Sequence, residues 1–477
     1  MNESMKKLTG ETIVSVDGRK YKLGKVSGYG SQGVVYEDDT GSQMIKLYYP
    51  VNSDVIKEDM VDRLRFIRDV KMPPNFVTIK DIITKPYVGY VMDKVSDHKP
   101  LNTYLIQDNK LSFSEWYNKG LGLRERLFVG YIIAKAFGEL EKKNLSYCDI
   151  SGNNILIKTG KAASIKMIDV DNIYVAGRGA ATVLGTPRYI APEVISRQKN
   201  PDVLSDNYSL AVILFELLRV GHPYISDEVL DGTPEDEEAA LAGRFDYVND
   251  QNSTNMLPED VVFTDKLSKL FKKCFVDGKN NRIERPSARE FEFALLEASN
   301  KVIKCKKCGA WHYPRKQNKV YEGCPWCDAI SKPEARLNFY DCLFEGDDYK
   351  DEKYIDDKNG RRLINTFILR EGKNQIKHFY IIKNDESMSD SKSGDNYLTI
   401  AKDDKGYWAY NEFSVEGVCI RKYKTGKYIQ LKNKKAELLE TGDCIYFELR
   451  KGQSTIINVG GKDYSFIRMA VFMEESK

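Results

Sequence analysis

The residues best suited to chemistry in this chain are an acid and an amide, Asp149 and Asn154, at the start of an apolar strand-like run. A carboxylate can orient a substrate hydroxyl and accept its proton, while an amide oxygen five residues later can hold a metal ion on phosphates. A second acid, Asp169, ends the next strand-like run. Ordinary turns also contain such acid–amide pairs, so the pair alone is weak evidence. The motifs that surround it favour phosphoryl transfer.

A glycine-rich segment precedes this pair, and its Gly28, Gly30 and Gly33 follow G-x-G-x-x-G spacing. A plain hairpin turn would also use such glycines, and a dinucleotide-binding fold would place a helix directly after them. Here a strand-like run follows instead, and Lys46 stands on the strand after that. Glycines between two strands let backbone amides approach nucleotide phosphates, which a lysine on the next strand can reach. The segment therefore predicts nucleotide binding.

The elements that position these groups follow from the spacing of apolar residues. Alternation between residues 21 and 49 predicts strands, and residues 53–70, 121–143 and 203–218 have helical spacing. The segments GYGSQGVVY, Ile45-Lys46, YCDISGNN, Ile168-Asp169, GTPRYIAPE, SDNYSLAVILFELL and ERPSA occur in this order. Together they resemble a eukaryotic-type (Hanks-type) Ser/Thr protein kinase over residues 21–300, after an N-terminal extension at 1–20. The resemblance implies an α+β, bilobal protein-kinase-like fold.

The resemblance implies a role for each matching residue. Asp149 resembles the catalytic base, and Asn154 and Asp169 resemble the two Mg²⁺ ligands. Lys46 resembles the lysine that binds the phosphates of ATP. An acid on the helix at 53–70 should hold that lysine, and Glu58 is favoured for its reach. Asp62 is the alternative, because residues four apart share a helix face.

Further residues resemble parts of the nucleotide pocket and of the scaffold. Met92 would line the back of an adenine pocket or simply pack in the core, and the backbone of Asp93 and Val95 would face the purine edge. Glu193 and Arg285 resemble the structural ion pair of the large lobe. One acid resembles the residue that braces the catalytic loop, namely Asp206.

Three positions depart from the family pattern. Cys148 replaces the arginine before the base, so a phosphorylated activation loop loses its usual cationic partner. Ser151 replaces a lysine, which removes a cation from the transferring phosphate, and Asp171 replaces the glycine of Asp-Phe-Gly. The base and metal residues are retained, which favours activity with atypical regulation. We hypothesise that the C-terminal modules set that activity and that phosphorylation of Thr182 is secondary.

Two C-x2-C pairs follow the kinase-like region, Cys305 with Cys308 and Cys324 with Cys327. Four thiolates at this spacing predict a closed, structural Zn²⁺ site, whereas redox-active pairs would need a thioredoxin-like strand and helix around them. Residues 301–332 therefore resemble a zinc ribbon. Such modules in other proteins bind partners or nucleic acid.

Residues 333–362 are polar and acid-rich, which predicts a linker. Short alternating segments from 363 to 477 predict a β-sandwich-like domain. Residues 438–447 resemble the late strands of forkhead-associated phosphopeptide domains, although the Gly-Arg and Ser-x-x-His signals of that family are missing. The lysine-rich run at 421–435 fits either phosphate or RNA binding or, with more support, a solvated hairpin.

Composition narrows the choice of function. The chain has 477 residues, 42% hydrophobic and 30% charged, and a net charge of +3 gives no sign of membrane or nucleic-acid binding. The N-terminus lacks an apolar signal core, so we expect a cytoplasmic protein. Nine cysteines rule against a complete disulfide framework, and we expect the five outside the C-x2-C pairs to be reduced.

The leading hypothesis is an ATP- and Mg²⁺-dependent kinase for Ser or Thr of a protein substrate, and Thr186 favours Ser/Thr over Tyr. The alternative is a nucleotide-binding pseudokinase scaffold that presents the zinc ribbon and β domain to protein partners. Ser151, Cys148 and Asp171 favour the scaffold, whereas the retained base and metal residues favour the enzyme. A nucleic-acid-binding regulator rests only on the ribbon and the basic run. Phosphate transfer from labelled ATP would separate these functions.

Overall fold

A computed structural model describes residues 5, 7–160, 163–175, 185–318, 320–344, 361–381, 395–413, 417–447, 455–459 and 462–475. The chain divides into two compact units, Met1–Leu295 and Leu296–Lys477. Across those described ranges, the structure has no helix with the length and apolar character needed to cross a membrane.

The first unit begins with a closed barrel of six antiparallel strands in the order β1-β2-β3-β4-β6-β5. The strands are β1 (Thr12–Ser15), β2 (Lys20–Tyr29), β3 (Gly33–Asp38), β4 (Gln43–Tyr48), β5 (Asp81–Lys85) and β6 (Gly89–Asp93). Alternate residues of these strands, including Leu23, Val34 and Ile45, form a fully buried core. The alternation between residues 21 and 49 therefore predicts β2, β3 and β4 correctly.

Helix α1 (Asp54–Asp69) follows the barrel strand β4 and contacts β5. Ser53 caps its first turn, because the Ser53 side chain accepts a hydrogen bond from the Ile56 backbone N–H. Val61, Leu64 and Ile67 form its buried face.

The rest of the first unit is mainly helical. Its helices are α2 (Asn102–Leu105), α3 (Phe113–Glu115), α4 (Leu123–Glu141), α5 (Pro192–Ile195), α6 (Val203–Arg219), α7 (Asp227–Leu230), α8 (Pro234–Leu241), α9 (Glu259–Val262), α10 (Asp265–Lys272), α11 (Gly278–Asn280) and α12 (Ala288–Ser299). Short strands are β7 (Lys99–Pro100), β8 (Leu145–Ser146), β9 (Ile155–Lys158), β10 (Ser164–Met167) and β11 (Tyr174–Val175). Nearly all of α6 is buried, and Asp202 with Ser205 forms a capping box at its start.

The second unit contains small hairpins and two sheets. Its strands are β12 (Ile303–Lys304), β13 (Trp311–His312), β14 (Lys316–Gln317), β15 (Val320–Tyr321), β16 (Ala335–Phe344), β17 (Arg361–Leu369), β18 (Lys373–Lys377), β19 (Asn396–Asp403), β20 (Gly406–Tyr410), β21 (Cys419–Arg421), β22 (Tyr428–Gln430), β23 (Ala436–Leu439), β24 (Cys444–Tyr446), β25 (Thr455–Val459) and β26 (Lys462–Glu474). The larger sheet has the order β17-β16-β26-β24-β21-β22 with β25 on β26, and the smaller is β18-β19-β20-β23. Tyr407 of β20 and Phe472 of β26 pack together across the two sheets, with their ring centroids 5.4 Å apart.

The linker prediction for residues 333–362 is wrong where the structure describes this segment. Strand β16 occupies Ala335–Phe344 and pairs with both β17 and β26. Ala335, Leu337 and Phe339 alternate with polar residues and are fully buried, which is the period of a strand with one face in the core. The acid-rich residues that follow dominated the composition and hid this alternation.

The buried pair of Arg285 and Glu193 provides a test of the fold. The guanidinium donates two hydrogen bonds to the carboxylate, at 2.7 and 2.8 Å, and the Arg285 side chain is fully buried. Burial opposes ionisation of Glu193, but its hydrogen bond and charge contact with Arg285 outweigh burial and lower its pKa. A lowered pKa means that the pair stabilises the fold at neutral pH and that this contribution is lost as the pH falls through that pKa.

We expect Arg285→Ala to lower the free energy of unfolding of the first unit by about 3 kcal/mol, because the buried Glu193 carboxylate loses both hydrogen bonds to Arg285 and keeps the Arg282 guanidinium, 3.6 Å away. Denaturant titration followed by the helical circular dichroism signal measures the change. Arg65→Ala is the matched control, since Arg65 pairs with Asp62 at an exposed site, and it should cost below about 1 kcal/mol. Equal losses in the two variants would contradict the structural role of the buried pair.

Candidate functional site

A turn between β8 and β9 carries Asp149, and a buried acid on α6 holds this turn in place. The backbone N–H groups of Tyr147 and Cys148 donate to the Asp206 carboxylate, the latter at 3.1 Å. Burial raises the pKa of Asp206 to about 7, although these two hydrogen bonds act to lower it. Cys148 has a φ of 67°, so the chain reverses there in the left-handed region. Asp206 therefore acts as a brace that fixes the orientation of the chain at Asp149.

Both carboxylate oxygens of Asp149 accept hydrogen bonds. The Asn154 amide donates to Oδ2 at 3.1 Å, and the Asn172 amide donates to the same oxygen at 3.4 Å. The Thr186 hydroxyl donates to Oδ1 at 2.8 Å. The structure thus brings the predicted base and Asn154 together with Thr186 from a distant segment. Such contacts hold the carboxylate in one orientation.

Asp169 follows β10 and lies beside Asn154. The Ile168 backbone N–H donates to the Asn154 carbonyl at 3.0 Å, which joins the two predicted metal ligands through the backbone. The Asp169 side chain is 30% exposed. Burial raises the pKa of Asp169, and the charge of Lys46 offsets only part of this effect. A carboxylate and an amide oxygen at one edge match the oxygen donors that Mg²⁺ prefers, so these residues fit the ion.

Lys46 forms buried ion pairs, but its partners differ from the predicted ones. Its Nζ lies 3.0 Å from Asp171 Oδ2 and 3.4 Å from Asp169 Oδ1. The prediction that Glu58 holds Lys46 is therefore wrong for this structure: Glu58 is exposed on α1, and the alternative, Asp62, pairs with Arg65 at 2.9 Å. Asp171, a buried carboxylate, pairs with the Lys46 ammonium instead of either acid on α1.

Two tyrosines that the sequence analysis missed complete this arrangement. The hydroxyl of Tyr48 donates to Asp171 Oδ2 at 2.6 Å, and that of Tyr90 donates to Oδ1 at 2.9 Å. A signal for the first of them exists in the sequence. Tyr48 lies two residues after Lys46, and side chains two apart point to the same face of a strand.

The glycine-rich segment forms the hairpin between β2 and β3, as predicted. The Gly30 backbone N–H donates to the Gly33 carbonyl at 3.0 Å. A Cβ on Gly33 would lie 2.1 Å from the Leu47 carbonyl oxygen, so only glycine fits there, whereas Gly28 and Gly30 have open space. Open space at these two positions is consistent with backbone that approaches a ligand closely.

Residues proposed for the adenine pocket lie at the end of β6. Met92 is buried and pairs with Met44 of β4, so it packs in the barrel wall. The Asp93 side chain points to Lys80 at 2.9 Å, and Val95 is half-buried just after the strand. The side-chain contacts of Met92 and Asp93 are therefore structural, and a role in nucleotide binding rests on the backbone.

The four cysteines of the C-x2-C pairs form one cluster in the second unit. Their sulfurs all lie within 4.8 Å of one another, with Cys305 Sγ and Cys327 Sγ 3.6 Å apart and Cys308 Sγ and Cys324 Sγ 3.7 Å apart. A tetrahedron with Zn–S bonds of about 2.3 Å requires sulfur separations of about 3.8 Å, so this donor set fits zinc. The other five cysteines form no disulfide and are buried, as expected: Cys148, Cys274, Cys342, Cys419 and Cys444.

A β-barrel, a helical region and a braced acid between them are features of the protein kinase class of fold. A family model described as the protein kinase domain matches residues 21–293, and this chain belongs to that family. It is 26% identical over 224 residues to the serine/threonine-protein kinase CLA4 of Candida albicans, which covers 40% of this chain and 22% of the relative. It is 24% identical over 292 residues to the serine/threonine-protein kinase SRK2E of Arabidopsis thaliana, covering 58% and 72%.

A third relative, the CBL-interacting serine/threonine-protein kinase 24 of Arabidopsis thaliana, is 25% identical over 222 residues. That match covers 45% of this chain and 47% of the relative. The chain thus spans about a fifth of the Candida protein and about half of this one. The similarity supports a protein kinase with Ser/Thr kinase relatives.

The cysteine cluster leads to a prediction about metal content. We expect about one Zn²⁺ per chain in protein purified without added metal, measured by elemental analysis. Cys324→Ser should lose the ion, because three thiolates no longer close the tetrahedron. Cys419→Ser, a buried cysteine of the same unit outside the cluster, should retain it. Zinc-free wild-type protein would show that the four sulfurs serve another purpose.

Proposed function

We propose that this chain is an ATP- and Mg²⁺-dependent protein kinase that transfers the γ-phosphate to Ser or Thr of a protein substrate. The observation that carries the proposal is the state of Asp149, whose two carboxylate oxygens are oriented by Asn154 and Thr186. The carboxylate stands half-buried, so an acceptor hydroxyl can still approach it. A general base needs this combination of fixed direction and access.

Each residue of the site would have a separate role in phosphoryl transfer. Asp149 would orient the acceptor hydroxyl and take its proton, and Lys46 would bind the α- and β-phosphates. Asn154 and Asp169 would hold Mg²⁺, which neutralises charge on the phosphates when bound. The hairpin at Gly28–Gly33 would close over the nucleotide with its backbone N–H groups.

Specificity for Ser and Thr is supported by the named relatives, all serine/threonine-protein kinases, and by Thr186 at the base. Ser151 replaces the lysine that many such kinases place near the transferred phosphate. An absent cation at that position weakens transition-state stabilisation by roughly a few kcal/mol. We therefore infer slow transfer.

We further propose that the second unit binds protein partners and regulates the kinase. The support is that Cys148 occupies the position from which an arginine usually receives the activation-loop phosphate. A zinc ribbon and a β domain provide surfaces that a signal could use instead. A scaffold without catalysis is the second candidate, supported by the engagement of Lys46 with two carboxylates.

Replacement of Asp169 tests the enzyme assignment. We expect Asp169→Ala to abolish Mg²⁺-dependent phosphate transfer while circular dichroism stays unchanged, because the lost ligand removes charge neutralisation at the phosphates. Asp59→Ala, an exposed acid on α1, is the control and should transfer at the wild-type rate. Near-wild-type transfer by Asp169→Ala would remove the proposal. Nucleotide binding without transfer by the wild type would favour the scaffold.

Regulation by the second unit has its own test. We compare the transfer rate of the full chain with that of a chain ending at Asn300, each with and without Thr182→Ala. We expect truncation to change the rate and Thr182→Ala to have a small effect; Thr182 lies outside the described residues. An unchanged rate after truncation, with a loss of roughly tenfold or more in Thr182→Ala, would contradict this regulation.

A further inference from the structure

Asp171 is a buried charge near the site whose two carboxylate oxygens are both hydrogen-bonded. It lies in the 3-10 turn Val170–Asn172, and its side chain is 2% exposed. Its two oxygens lie 3.0 and 3.1 Å from Lys46 Nζ and also accept the hydroxyls of Tyr48 and Tyr90. A buried carboxylate is stable only when it is paired and hydrogen-bonded, and this one has both kinds of partner.

The barrel itself creates the matching surface. Lys46 and Tyr48 lie two residues apart on β4 and share a face, and Tyr90 of β6 lies directly opposite Lys46. An ammonium and two hydroxyls therefore converge on one point from two neighbouring strands. Asp171 occupies that point.

The two acids of the Asp-x-Asp segment differ in environment. Asp169 is 30% exposed and stands 3.4 Å from Lys46, whereas Asp171 is almost fully buried and closer. Electrostatic attraction strengthens as water is excluded, so Asp171 is the stronger partner of the ammonium. Asp169 keeps an accessible oxygen edge for a metal ion. Asp171 thus pairs with the lysine, and Asp169 remains accessible to the metal ion that binds the phosphates.

We infer that Asp171 is the positioning residue for Lys46 and takes the role that an acid on α1 would otherwise fill; the inference rests on the proposed kinase function. Lys46 is then held by the barrel and by the turn after β10, and its placement does not require α1 to present an acid. Tyr48 and Tyr90 hold Asp171 in turn. The residue at this position, where the family has glycine, is a working part of the phosphate site.

The first test examines the pair without any activity measurement. Melting temperatures of the full chain are compared for Lys46→Met, Asp171→Asn and the double variant. Residues that contact each other give non-additive effects, so the double variant should melt well above the temperature expected from adding the two single shifts. Glu58→Gln combined with Lys46→Met should be additive. Additivity for Lys46 with Asp171, or coupling of Lys46 to Glu58 of equal size, overturns the inference.

The second test examines transfer. Calorimetry with a non-hydrolysable ATP analogue and Mg²⁺ counts nucleotide sites, and kcat is expressed per site. A purely structural role would reduce the number of sites, whereas a positioning role reduces kcat per site. We expect Asp171→Asn to lower that value by about tenfold or more and Asp171→Glu to recover part of it. Glu58→Gln and Asp62→Asn should each stay within about threefold of wild type.

A kcat per site within about threefold of wild type in Asp171→Asn overturns the inference, as does an equal loss in either α1 variant. Should Asp171→Asn fail to fold, Tyr48→Phe with Tyr90→Phe replaces it. This variant removes the two hydroxyl hydrogen bonds to the Asp171 carboxylate and keeps the charges of Lys46 and Asp171. It should lower kcat per site by at least about threefold, and an unchanged value overturns the inference. If the wild type transfers no phosphate, the proposed function fails, while non-additive melting still shows that Asp171 holds Lys46.

Discussion

The geometry of the turn that carries Asp149 depends on one buried carboxylate. Asp206 accepts the backbone N–H groups of two successive residues, Tyr147 and Cys148, just before Asp149. Cys148 adopts a left-handed backbone that a non-glycine residue reaches only at a cost of roughly 1–2 kcal/mol. Charge-assisted hydrogen bonds of this kind are worth about as much, so they can offset that cost. Asp206 is held rigidly because it belongs to α6, and nearly all of this helix is buried.

From this brace the site extends outward through a short chain of contacts. Asn154 joins Asp149 to the end of β10, and Asn172 joins it to the turn that contains Asp171. Gln32 of the glycine-rich hairpin donates to Asn172 at 3.3 Å, so the protein's own side chains link the barrel to Asp149. Binding energy would then be used to align the substrate instead of assembling the site.

Sequence reasoning anticipated which residues lie together where the motifs are local. Gly33 must be glycine for steric reasons, and the acid–amide spacing of Asp149 and Asn154 lies within a single turn. It failed on the partner of Lys46, because three segments that are distant in the chain meet around Asp171. Their spacing in the sequence does not predict that contact. Strand β16 was missed because neighbouring acids masked a period of two.

The place of β26 in the larger sheet has a consequence for the time course of folding. This strand lies between β16 and β24, and its pairing with β16 joins residues more than a hundred positions apart, such as Leu337 and Phe472. The interior of the sheet therefore cannot close until residue 474 has left the ribosome. Contacts of such sequence separation form slowly, because the loop entropy is lost before any contact compensates for it. During synthesis, then, the unpaired edge of β16 has to be kept from pairing with other chains while the first unit, which ends at Leu295, is already able to fold.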